Sequence, residues 1–111
     1  MNKLINTFKG TKVPETTVKN INGCLYMEVH YVISEQKGEY TWINILLKKS
    51  EHTYPVLVDA IIGLSYSLRE SLAIIGNYLL DPKNPEYKQE FEEFQKVRKA
   101  AKDYAKKYFN I

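Results

Sequence analysis

Asn84-Pro85 opens the longest amphipathic pattern in the chain, and no breaker interrupts it before Asn110. Apolar residues recur at Tyr87, Phe91, Phe94, Val97, Ala101, Tyr104 and Tyr108, in steps of three and four that fall on one helix face. Glu86, Glu90, Glu92 and Glu93 crowd the start, and Lys96, Arg98, Lys99, Lys102, Lys106 and Lys107 fill the end. That is the charge order a helix macrodipole favours. Within a folded protein a helix of this kind gains most of its stability by burying its stripe. The spacing therefore predicts a terminal helix docked through its aromatic face, with Phe91 and Phe94 in the core.

The segments before it read differently. Residues 1–17 are polar without a clear period, an arm or irregular lead-in able to reach a neighbouring subunit, with a short strand near Val18-Lys19 at its end. Asn22-Gly23 is a hairpin signal, because both residues tolerate the positive φ of a type I′ turn. From Cys24 to Ile33 the chain alternates. Leu25, Met27, Val29, Tyr31 and Ile33 share one face, and Cys24, Tyr26, Glu28, His30 and Val32 the other. Ser34 to Glu39 forms a polar turn. Tyr40 to Leu47 is a second strand, rich in aromatic and β-branched residues. Its inward set is Thr41, Ile43, Ile45 and Leu47, with Trp42 and Leu46 opposite.

Lys48 to Thr53 reads as a loop, and Pro55 suits the first turn of a helix reaching about Ser65. Ser67-Leu68-Arg69-Glu70 has capping-box spacing, so a new helix starts there. It carries Leu68, Leu72, Ile75 and Leu79 on one face, with Ile74 and Tyr78 beside them. Asp81-Pro82-Lys83-Asn84-Pro85 is a short, stiff link, which predicts an antiparallel pairing of the last two helices. Strands followed by helices argue for an α+β class. The expected fold is a small antiparallel β-meander over residues 18–48 and a C-terminal helical hairpin, with helices over residues 55–109, in one domain of 111 residues.

A chain this short can build one core but not a core around a large ligand cavity. Nine tyrosines fit half-buried positions, where the ring packs and the hydroxyl stays wet. A single cysteine, Cys24, rules out an intramolecular disulfide and fits a reducing compartment. Leu4-Ile5 is too short for a signal h-region. Asp59, Arg69 and Glu70 interrupt the apolar stretch Val56 to Leu80, which excludes a membrane span. These features predict a cytoplasmic protein. The net charge is +3, and the segment from Pro82 onward carries all of it; the residues before are neutral in sum.

No motif for chemistry stands out. The chain has two histidines and one cysteine, His30, His52 and Cys24. Cys24 and His30 share a strand face but lie six residues apart, roughly 20 Å along extended chain, too far for one ion. Gly63-Leu64-Ser65 lacks the second glycine of a nucleophile elbow. The five glycines are scattered singly, so no phosphate loop forms. The acidic pairs Glu92-Glu93 and Glu90-Glu93 are explained by the helix start. The expectation is a protein that is not an enzyme and uses no cofactor or metal.

Two partner classes remain. Lys99, Lys102, Lys106 and Lys107 are candidates for phosphate contacts, and the tyrosines for base stacking. The same lysines are also what a helix C-terminus and (i, i+4) pairs such as Glu92–Lys96 and Asp103–Lys107 require. Tyr26, Val32, Trp42 and Leu46 form a second candidate, a partly apolar strand face suited to a subunit interface, unless the arm of residues 1–17 and the segment 50–66 cover it within one chain.

The run Tyr66-Ser67-Leu68-Arg69-Glu70-Ser71-Leu72-Ala73-Ile74-Ile75, with Glu90-Phe91-Glu92-Glu93-Phe94-Gln95 continuing to Lys102, resembles the C-terminal helices of small uncharacterised proteins of tailed bacteriophages and prophages of gut bacteria. The resemblance covers about forty residues and brings no catalytic residue with it. A composition rich in Lys, Asn, Ile and Tyr also fits an AT-rich genome. The resemblance implies a phage accessory or virion protein, assembled in the host cytoplasm. The expected role is therefore protein interaction or structure, as a homo-oligomer or within a larger assembly and away from membranes. The alternative is a nucleic-acid-binding accessory protein.

Overall fold

The structure, a computed structural model, describes residues 7–111. The first six residues of the expected arm, with the Leu4-Ile5 pair, lie outside the described residues. The chain forms two compact units, one ending at His52 and one spanning Thr53–Ile111.

The first unit is a four-stranded antiparallel sheet of β1 (Thr7–Gly10), β2 (Thr17–Ile21), β3 (Cys24–Gln36) and β4 (Glu39–Lys48), in the order β1-β4-β3-β2. Strands β2, β3 and β4 form the expected meander. Both hairpins turn on two residues with positive φ, Asn22-Gly23 (52° and 85°) and Lys37-Gly38 (52° and 77°). That backbone matches the twist of the flanking strands. The second turn is tighter than the polar run Ser34 to Glu39 suggests, because β3 extends to Gln36. A bulge between Val32 and Ser34 shifts the register there, so that Ser34 pairs with Thr41.

The expected irregular arm is corrected by β1. Four residues of it add to the free edge of β4, pairing Thr7 with Ile43, Phe8 with Trp42 and Gly10 with Tyr40. Thr-Phe-Lys-Gly is too short to show a period, so β4 selects this strand and its own sequence does not. Val29, Ile43, Ile45 and Leu47 are buried on one face of the central strands, as their alternation predicts. Glu28, His30 and Trp42 are buried on the other. A single 3-10 turn, Lys49–Glu51, stands where a loop was expected.

The second unit holds α1 (Tyr54–Gly63), α2 (Leu68–Leu80) and α3 (Pro85–Phe109). Pro55 sits in the first turn of α1. The capping box at α2 is complete: Ser67 Oγ accepts from the Glu70 N–H and the Glu70 carboxylate accepts from the Ser67 N–H, both at 3.1 Å. Asn84 caps α3 by accepting from the N–H groups of Glu86 (3.0 Å) and Tyr87 (3.3 Å). Asn110 ends α3 in the left-handed conformation, φ 57°.

Helix α3 is the spine of this unit, and both α1 and α2 pack on it. Phe94 is 3% exposed, and Ala101 and Ala105 are fully buried. Leu57, Val58 and Ile61 supply the buried positions of α1. Tyr66 meets Phe94 edge-to-face at 5.1 Å. Phe91 is half-buried and stacks on Tyr78 with ring centroids 4.1 Å apart. The aromatic stripe therefore docks as predicted, although Phe91 sits at the rim of the core.

Candidate functional site

Pairing places Tyr26, Val32, Trp42 and Leu46 on one sheet face, since Tyr26 opposes Lys48, Val32 opposes Trp42 and Glu28 opposes Leu46. The face is not a continuous apolar patch. Its middle is an ion-pair cluster. The Lys19 ammonium lies 2.7 Å from one Glu28 oxygen, and His30 Nε2 lies 3.1 Å from the other. The hydrogen bond from Lys19, with that from His30, holds the Glu28 carboxyl below the usual carboxylate range against the opposing effect of burial. Both carboxylate oxygens are thus engaged.

Trp42 is 8% exposed within its own chain, which corrects its assignment to an open interface. The cause is β1. Phe8 stacks on the indole at 6.5 Å, and His30 meets it edge-on at 6.4 Å. Gly10 leaves room for it: a Cβ there would lie 3.1 Å from Trp42 Cη2. Tyr26 and Val32 are half-buried, and Leu46 is exposed. Of the four residues, only Leu46 is exposed, and it is 45% so.

The four lysines are exposed on α3. Lys99 Nζ lies 3.5 Å from Asp103, an (i, i+4) pair of the kind that solvated helices carry. Lys99 also borders a shallow groove of about 400 Å³ with Lys88, Lys96, Tyr78 and Phe91. Lys102, Lys106 and Lys107 do not line it. On the other flank of the same helix pair, a recess of about 360 Å³ is lined by Tyr66, Glu70, Glu90 and Glu93. Burial, and then the charges of Glu93, Glu70 and Glu90, push the Tyr66 phenol above its usual range. Glu70 is already committed to the α2 cap.

Cys24 is exposed at the start of β3, beside Leu25, Lys48, Lys49 and Ser50. Among the described residues, no group of three or more His, Cys, Asp or Glu side chains is placed to hold a metal ion, and no helix is long and apolar enough to cross a membrane.

The feature that sequence reasoning did not single out is the outer side of α2. Leu68, Leu72, Leu79 and Leu80 are 77%, 61%, 73% and 84% exposed. No residue of α2 is fully buried. The periodicity does show the stripe. It does not show that α3 takes the Ile74–Tyr78 flank instead and leaves the leucines in water. Comparison with family models, with curated proteins and with solved structures returns no match.

Proposed function

We propose that this chain is a non-enzymatic protein-interaction or structural protein whose contact surface is the leucine side of α2. The observation that carries this reading is the exposure of Leu68, Leu72, Leu79 and Leu80 on one short helix. Scattered apolar residues on a surface are ordinary, but a contiguous patch marks an interaction site. The resemblance noted above extends the reading to a phage accessory or virion component acting in the host cytoplasm. The test uses tagged wild-type chain and the double variant Leu72→Glu, Leu79→Glu, each offered more of the same chain and an extract of the producing cells. We expect the wild type to retain a partner and the variant to lose it, with unchanged helical circular dichroism. Equal retention by both, or none by the wild type, overturns the reading.

A second reading, a nucleic-acid-binding accessory protein, draws on one observation. The stacked Tyr78–Phe91 pair shares its groove with Lys88, Lys96 and Lys99. Aromatic faces beside cations suit single-stranded nucleic acid. The groove is shallow, and Glu92 also lines it. The protein-contact reading is therefore preferred.

A further inference from the structure

Leu68, Leu72, Ile75 and Leu79 are spaced four, three and four residues apart, which is the d-a-d-a seam of a coiled coil. Such a seam fits another helix, and its spacing reads the same in both directions. Turned about a two-fold axis through the middle of α2, it therefore meets an identical seam. Leu68 then faces Leu79 of the second copy, and Leu72 faces its Ile75. That reciprocity is what an isologous contact requires. We propose that the occupant of the α2 face is a second copy of this chain, in antiparallel register. The proposal rests on the protein-contact reading above and names its partner.

Two further observations favour a second copy. Arg69 and Glu70 are the only charged residues between Leu68 and Leu80, and they cancel, so identical faces do not repel one another. Gly76 lies beside the row on the exposed flank, and a Cβ there would meet open space. A mid-helix glycine is costly, and no close approach among the described residues requires this one. It flattens the surface between Leu72 and Leu80, where a second helix would approach. The area is consistent with a modest dimer. Leu68, Leu72 and Leu79 with the half-buried Ile75 offer on the order of 400 Å² per copy, so two copies bury on the order of 800 Å², below the roughly 1,000 Å² of a stable interface and in the range of weak, transient contacts. The pair should dissociate on dilution.

The test uses purified full-length protein by itself. Light scattering should give twice the monomer mass of 13.0 kDa at high concentration, falling towards the monomer on dilution. The Leu72→Glu, Leu79→Glu variant should stay monomeric with its helical signal intact. Register is tested in a Cys24→Ser background. Leu68→Cys and Leu79→Cys chains, mixed and oxidised, should form a disulfide-linked pair, whereas Leu68→Cys chains alone should not. In the antiparallel pair the two copies of position 68 lie about 16 Å apart along the axis, beyond disulfide reach. Cross-linking of Leu68→Cys chains alone would mean parallel pairing and overturn the proposal. A dimer that survives the double glutamate substitution would place the contact elsewhere and also overturn it. A chain that is monomeric alone, yet retains another protein only when the α2 leucines are intact, overturns self-pairing and leaves the protein-contact reading standing.

Discussion

Glu28 is the residue whose surroundings make the sharpest demand. Its carboxylate is held by Lys19 at 2.7 Å and by His30 at 3.1 Å, and its pKa lies below the ordinary value. The unfolded chain binds this proton more tightly than the folded one. The cluster therefore stabilises the fold above the ordinary glutamate pKa of about 4.3, and the contribution is lost as pH falls through the lower folded value. Melts of wild type and Glu28→Gln should converge in acid and separate towards neutral pH, with the wild type higher. A constant gap across that range would show that the ion pairs contribute nothing. Gly10 makes a steric demand. In Gly10→Ala the new methyl meets Trp42 Cη2 at 3.1 Å, and we expect a loss of about 1 kcal/mol in denaturant melts. An unchanged midpoint would mean that β1 shifts freely away from the indole.

At the scale of elements, the α2 cap and the α3 docking face can be tested separately. Ser67→Ala removes one half of a reciprocal cap and should cost roughly 0.5–2 kcal/mol, read as a lower chemical midpoint. Phe94→Ala empties a site 3% exposed under Tyr66 and should cost about 3–5 kcal/mol. A melt shifted by only a degree or two would show that α3 docks some other way. These elements were legible because their signals are local. Asn22-Gly23 names its turn, Ser67 and Glu70 name their cap, and the steps from Tyr87 to Tyr108 name a face. The Lys19–Glu28 pair is a diagonal contact in the register that this turn sets, with Lys19 opposite Tyr26 and Thr17 opposite Glu28. Two features were not legible because they depend on competition between distant segments. The arm is one of two segments that could cover Trp42, but that it does so as strand β1 depends on the edge that β4 offers. The leucines of α2 stay exposed because α3 binds the Ile74–Tyr78 flank.

For the molecule as a whole, charge decides how the preferred and second readings part. The excess of +3 lies entirely on the segment after Asp81, where Lys99, Lys102, Lys106 and Lys107 are exposed. We expect only weak binding to labelled single- or double-stranded nucleic acid, lost as salt rises in the manner of phosphate contacts. Sub-micromolar affinity near physiological salt, abolished by Lys102→Glu with Lys106→Glu, would promote the second reading. Trp42 has another use, because it is the sole indole and its packing partners Phe8 and Gly10 come from the strand that must close the longest loop in the sheet. Hairpins with two-residue turns can assemble early, whereas β1 has to find β4 across more than thirty residues. Tryptophan emission is therefore a built-in optical clock for that final closure. In stopped-flow refolding, its blue shift should trail the far-ultraviolet signal of the helices.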